Sequence, residues 1–136
     1  MIVVDASMAI AWQFEDEATP AADAALERTV RDGAIVPAIW RLEVANVLRM
    51  AVRRKRCDEA FVDAAIARLD GLRIEDDIET SLHAWNETSA LARSEGLTVY
   101  NAAYLELALR RKLPLASGDK ALIAAGRRHG LEVLTP

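Results

Sequence analysis

Three acidic residues stand where alternating strands and helices would bring them together: Asp5, Glu43 and Asp119. Asp5 directly follows the β-branched run Ile2-Val3-Val4, and Asp119 comes just after the apolar segment Leu113–Ser117. In an open α/β sheet, ligands bind outside the carboxyl ends of the strands, where the strand order reverses, so both carboxylates are expected on one rim. Glu43 lies one turn into the helix that follows a second strand. On a helical wheel it falls beside Trp40, Val47 and Met50, at the edge of the apolar stripe. An ionised carboxylate leaning toward a core needs a partner or a metal. Three converging acids offer hard oxygen ligands of the kind Mg²⁺ takes while keeping waters and substrate phosphates. Such an ion acidifies its water and offsets charge on a phosphodiester, so hydrolysis needs no serine–histidine–acid set. His83 and His129 have no ligand-like spacing, and Cys57 stands alone.

Each acid also has a plainer reading. Asp5 and Asp119 each precede a helix and suit its N-cap, and Glu43 suits a rim position paired with an arginine. Taken singly the acids decide little; their joint placement is what favours a site.

The elements that must position them are short. Ile2–Val4, Ala34–Val36, Leu72–Ile74, Leu113–Ser117 and Leu131–Leu134 are predicted strands. Helices are predicted near Ala6–Trp12, Pro20–Arg31, Ile39–Arg56, Asp58–Leu69 and Ile78–Ser94, then from a Thr98 cap to about Lys112, and over Asp119–Arg127. Gly33 and Gly96 punctuate two of the helix ends. Short apolar strands separated by longer helices imply parallel pairing with helices on both faces, an α/β fold of high helix content.

Composition agrees with one domain over residues 1–136. Hydrophobic residues make up 52% and aromatics only 5%, so the core must be aliphatic and alanine-rich. The net charge of −4 is not the overall basic footprint of a nucleic-acid binder, although a local basic rim is compatible with it. One cysteine permits no intrachain disulfide, and no apolar run approaches 18 residues, so a cytoplasmic protein with no membrane span is expected.

The residues also resemble a known family. Val3-Val4-Asp5-Ala6-Ser7 with Trp12 beyond it, Pro37-Ala38-Ile39-Trp40-Arg41-Leu42-Glu43-Val44-Ala45-Asn46-Val47-Leu48, Leu97-Thr98-Val99-Tyr100-Asn101-Ala102-Ala103-Tyr104-Leu105 and Leu113-Pro114-Leu115-Ala116-Ser117-Gly118-Asp119-Lys120 resemble, in order and spacing, the four motifs of VapC-type PIN-domain toxins. The resemblance implies a PIN-like three-layer α/β/α sandwich with a parallel sheet of four or five short strands. It implies a Mg²⁺- or Mn²⁺-dependent endoribonuclease acting on RNA, a homodimer, and a VapB-type antitoxin that covers the site and supplies the DNA binding of the pair. Asp5, Glu43 and Asp119 match the family's acidic metal positions, and Ser7 and Ser117 match the small hydroxyl positions beside them.

One position departs from the pattern. The third motif normally reads Tyr-Asp-Ala, and here it is Tyr100-Asn101-Ala102. Asparagine nearly keeps the shape of aspartate but removes its charge, which implies weaker metal binding and reduced or abolished cleavage. Natural divergence and a deliberate isosteric substitution both explain it.

Arg53-Arg54-Lys55-Arg56 suits a helix C-terminus through the dipole and also suits a phosphate-contacting rim, with Arg110, Arg111, Lys112, Arg127 and Arg128 as further candidates. Trp12, Trp40 and Trp85 fit core or interface packing better than base stacking. Tyr100 and Tyr104 border the site or pack in a dimer seam, and neither is counted as catalytic. Among competing functions, a PIN-like DNA nuclease or RNA-processing factor usually has a longer chain with extra clamps. A receiver-like domain lacks its acid pair, since Asp5 is alone and Val36-Pro37 carries no Asp; an Asp-x-Asp phosphatase fails because the second acid is Ser7. A binding module that holds RNA or antitoxin without cutting remains open because of Asn101.

Overall fold

Nine residues of β1 (Ile2–Val4), β2 (Ala34–Val36) and the later β3 (Ile74–Asp76) start a fully parallel sheet, which β4 (Leu115–Ala116) and β5 (Val133–Leu134) complete. The computed structural model describes residues 1–135, so Pro136, the last residue of the expected domain, lies outside the described residues. Between the strands run α1 (Ala6–Ala11), α2 (Pro20–Asp32), α3 (Trp40–Arg53), α4 (Glu59–Asp70), α5 (Thr80–His83), α6 (Ser89–Glu95), α7 (Val99–Arg111) and α8 (Lys120–Arg128). The result is the expected three-layer α/β/α arrangement. No helix among the described residues is long and apolar enough to cross a membrane.

The strand order is β3-β2-β1-β4-β5. The chain builds outward from β1 through β2 to β3, then returns to the other side of β1 for β4 and β5. Strand order therefore reverses between β1 and β4, the place where an open α/β sheet binds ligands. The central strands are buried along their whole length, as expected where helices cover both faces. Fully buried Ala9, Ala25, Ala65, Ala102, Ala108 and Ala125 let helices approach closely, so the alanine-rich composition is the material of the core.

Gly33 shows why α2 ends where it does. Its φ of +83° suits glycine, and a Cβ there would meet the Arg73 side chain at 2.9 Å and the Arg73 carbonyl at 3.2 Å. The chain can thus turn directly into β2 against the approach to β3.

Two expectations need correction, and one short element is added to them. The third strand is Ile74–Asp76 rather than Leu72–Ile74; being an edge strand it tolerates exposed Glu75 and Asp76, and its register is set by pairing with Ala34–Val36. The helix expected over Ile78–Ser94 is broken by a π-helical stretch at Ala84–Thr88, where the Ser89 hydroxyl donates to the Ala84 carbonyl at 2.6 Å. A 3₁₀ turn at Glu15–Glu17 was not anticipated. Two of its acids, Asp16 and Glu17, pair with Arg56, which lies just beyond the end of α3.

Candidate acidic site

β1 ends in Asp5 and β4 leads into Ser117 and Asp119, and these two strand ends are locked together. The Asp5 N–H donates to the Ala116 carbonyl at 3.0 Å, which fixes the backbone register. The Ser117 hydroxyl then donates to Asp5 Oδ2 at 2.5 Å and receives the Asp119 N–H at 3.0 Å. Ser7 performs the mirror-image task. Its hydroxyl donates to Asp5, with Oδ1 at 2.7 Å and Oδ2 at 2.9 Å, and receives the Gly118 N–H at 2.9 Å. Both serines expected beside the acids are therefore in contact with Asp5.

The capping reading also holds. Asp5 Oδ1 accepts the Met8 N–H at 2.9 Å, and Asp119 Oδ1 accepts the Leu122 N–H at 2.9 Å. Each aspartate satisfies the orphan donors of a helix start. Capping and convergence coexist, because both helices begin at the same rim of the sheet.

Asp5 is only 3% exposed, and no Lys, Arg or His forms an ion pair with it, with Glu43 or with Asp119 among the described residues. Burial raises the Asp5 carboxyl to about 6 from 3.8; the hydrogen bonds from Ser117, Met8 N–H and Ser7 pull it back, and the charge of Asp119 pushes it further up. Negative charge is thus concentrated at this corner without a protein cation to offset it.

Glu43 enters from α3. The buried face of that helix is Trp40, Val44, Leu48 and Ala51, while Val47, expected beside Glu43 on the stripe, is exposed. Glu43 lies at the edge of that face, half-buried, and its partner is not the arginine considered from sequence. The Tyr104 phenol of α7 donates to Glu43 Oε1 instead. The charges of Glu43 and Asp5 both act on the same phenol. Burial first, and the Glu43 hydrogen bond second, hold the phenol far above its ordinary pKa, so it remains a donor.

Asn101 occupies the first turn of α7, one turn before Tyr104, and is half-buried. Its N–H is capped by Thr98 Oγ1 at 3.1 Å, as the Thr98 cap required. Its side-chain amide makes no hydrogen bond to Asp5, Glu43 or Asp119 among the described residues. The structure therefore joins Asp5, Ser7, Ser117 and Asp119 directly and ties Glu43 to Tyr104, whereas the Asn101 side chain has no hydrogen bond to any of them among the described residues. Tyr104 was set aside at the sequence level; its place three residues after Asn101, on one face of a motif-bearing helix, was the available signal.

Carboxylates such as those of Asp5, Glu43 and Asp119 are the donor type that a hard divalent cation takes. Even so, no three His, Cys, Asp or Glu side chains form a ligand-like group among the described residues.

Of the basic candidates, Arg56 pairs with Asp16 and Glu17, Arg110 with Asp77 and Glu106, and Arg128 with Glu95. These three serve structure. Arg53, Arg54, Lys55, Arg111, Lys112 and Arg127 are exposed and have no carboxylate partner among the described residues.

The PIN domain family model matches residues 2–134. PAE2754 from Pyrobaculum aerophilum is structurally similar, with a TM-score of 0.70 at 21% identity, over 98% of this chain and 88% of that one. FitAcB from Neisseria gonorrhoeae is similar with a TM-score of 0.66 at 14% identity, over 98% and 96% of the respective chains. No curated protein matches the chain at a significant level. At such identities the two structures speak for the fold alone, but the family match spans nearly the whole sequence, and the chain belongs to the PIN domain family.

Proposed function

We infer that this chain is a nuclease-type toxin of a VapBC-like toxin–antitoxin pair, a Mg²⁺- or Mn²⁺-dependent endoribonuclease whose cleavage is reduced or abolished by Asn101. Its family is one of nucleases, which supports the class of chemistry. The observation that carries the finer reading is Asp5: a carboxylate buried beside Asp119 at the strand-order reversal, with no protein cation to offset it. Asp5, Glu43 and Asp119 would hold the ion, with the amide oxygen of Asn101 as a weaker fourth donor. A divalent ion bound there supplies a water of lowered pKa and offsets charge on the phosphodiester. Ser7 and Ser117 orient Asp5, and the exposed Arg53, Arg54 and Lys55 offer contacts to RNA phosphates.

The expected partners follow from the same reading. A VapB-type antitoxin would cover the acidic rim, and any DNA contact would come through it. Self-association is supported by Ile78, Leu82 and Trp85, large apolar side chains that this chain leaves uncovered. A cytoplasmic location fits the single free cysteine.

The test compares this chain with its Asn101→Asp version, free of antitoxin, on labelled structured RNAs with Mg²⁺, Mn²⁺ or EDTA. Cleavage by the Asp version alone, abolished by EDTA, supports the acidic site and identifies Asn101 as the inactivating feature. Absence of cleavage by both overturns the nuclease reading. Asn101 itself favours a second reading, a PIN domain that binds RNA or antitoxin without turnover; it requires measurable binding and no product at any metal concentration.

A further inference from the structure

Two helices, α7 and α8, lead away from the acidic rim and finish at the opposite end of the sheet. Asn101 lies in the first turn of α7, and Asp119 caps α8. Three residues beyond α7 the Pro114 carbonyl accepts the Val3 N–H, so that helix finishes where β4 begins. α8 finishes four residues short of β5, and there the Leu115 N–H donates to the Glu132 carbonyl at 2.9 Å. The two helices pack against each other, and their last turns stand at the same end of two paired strands.

Those last turns carry more cations than the acids around them occupy. Arg110 is turned to Asp77 and Glu106, Arg128 and His129 share Glu95, and Glu132 pairs with Arg28. Arg111, Lys112 and Arg127 are exposed and have no carboxylate partner among the described residues. The helix dipole favours cations at such ends but does not account for the backbone of Lys112. It closes α7 in the left-handed conformation, φ 55° and ψ 49°, where glycine is preferred, as at Gly96 after α6. A long cationic side chain is thus kept at a position whose backbone disfavours any side chain.

At about 1.5 Å per residue, Arg127 lies about 12 Å along α8 from Asp119, and Arg111 about 15 Å along α7 from Asn101. A stacked nucleotide strand advances about 3.4 Å per phosphate, so the span corresponds to roughly four nucleotides. We propose that Arg111, Lys112 and Arg127 form a platform for the phosphates of an RNA strand that extends from the acidic rim. The proposal rests on the RNA reading above and requires no metal. The chain carries a net charge of −4, so a polyanion is held only where cations are locally in excess, and this corner is such a place.

The test follows binding of a labelled single-stranded RNA, longer than that span, by fluorescence anisotropy across a salt series in EDTA or in Ca²⁺. Arg111→Gln, Lys112→Gln and Arg127→Gln are combined in one variant. Each cation that neutralises a single-strand phosphate contributes about 0.7 to the slope of log affinity against log salt, so the slope should fall by about 2. Affinity at low salt should fall about 10-fold or more. Lys112→Gly suits the left-handed backbone, so it should raise the melting temperature while still weakening RNA binding, a pairing that loss of fold cannot produce. An unchanged affinity and slope in the combined variant, with RNA still bound, overturns the platform and leaves the RNA reading standing. No RNA binding by this chain or by its Asn101→Asp version, in either condition, overturns both. Duplex DNA that displaces the RNA at equal concentration overturns the assignment of the platform to RNA.

Discussion

The hydroxyl of Ser117 lies 2.5 Å from Asp5 Oδ2 and joins two residues 112 positions apart in sequence. Ser117 is fully buried, and its oxygen also receives the Asp119 N–H, so one small side chain holds the Asp5 carboxylate and the backbone of Asp119. Ser117→Ala removes a hydrogen bond to a buried carboxylate and leaves a backbone N–H without its acceptor. A loss of about 1.5–3 kcal/mol is expected. The Asp5 carboxyl should move further up, because Ser117 is the strongest of the groups holding it down. Urea unfolding and a carbon-13 titration of Asp5 would check both. A variant as stable as the parent would show that the contact contributes nothing net.

Asp5 itself works against stability. Its carboxyl is raised to about 6 from 3.8, so between those values the folded protein keeps a proton that the unfolded chain releases. Stability contributed at this position therefore falls as pH rises from about 4 to 6 and stays low above that window. The penalty is on the order of 3 kcal/mol at neutral pH. Asp5→Asn removes the charge and keeps an acceptor for the Met8 cap. In EDTA, its stability relative to the parent should increase as pH is raised through the window. Parallel stability curves would contradict the burial argument. Mn²⁺ should raise the melting temperature of the parent but not of the variant, by mass action on the folded state.

Arg110 clamps a second acidic cluster away from the site. Its guanidinium reaches Asp77 Oδ2 at 2.7 Å and Glu106 Oε2 at 2.8 Å, and both acids are nearly buried. Burial would raise the Asp77 carboxyl, but Arg110, Thr80 and the Glu79 N–H together outweigh it and hold it below its ordinary value. Its stabilising contribution is therefore present above pH 3.8 and lost as pH falls through the lower folded value. Arg110→Met strands two carboxylates and should cost roughly 3–5 kcal/mol. Arg110→Lys should recover only part, since an ammonium cannot serve both acids with a planar fork. Thermal melts of the two variants at pH 7 decide the matter: a full rescue by lysine would reduce the clamp to simple charge pairing.

The alternation of short apolar runs with long amphipathic stretches made the parallel sheet legible, because buried strands need continuous Val, Ile and Leu whereas helices need periodic ones. Asp5 and Asp119 each follow a strand, which is enough to assign both to one rim of the sheet. Contacts set by packing were less legible. β3 carries Glu75 and Asp76, and its register comes from β2 rather than from its own hydrophobicity. The π-helical stretch is accompanied by a hydrogen bond from the Ser89 hydroxyl to the Ala84 carbonyl, which no hydrophobic pattern announces. The partner of Glu43 lies 61 residues away on α7, so a wheel drawn for α3 alone could suggest an arginine but not Tyr104.

Trp85 and Ile78 are each 93% exposed and Leu82 is 69% exposed, within eight residues that run from just before α5 into the π-helical stretch after it. Three large apolar side chains so close together and so uncovered mark a contact surface, since single exposed apolar residues are ordinary but clusters are not. Trp85 contributes the largest area and belongs to the class that dominates interface energetics. Trp85→Glu replaces the largest of these apolar side chains by a charge, at a residue that is 93% exposed. Its melting temperature at low protein concentration should stay near that of the parent. Its mass by light scattering at micromolar concentration should be that of one chain, against two for the parent. A parent that is already monomeric would exclude this face as a self-association surface. A dimeric variant would place the dimer contact elsewhere on the chain.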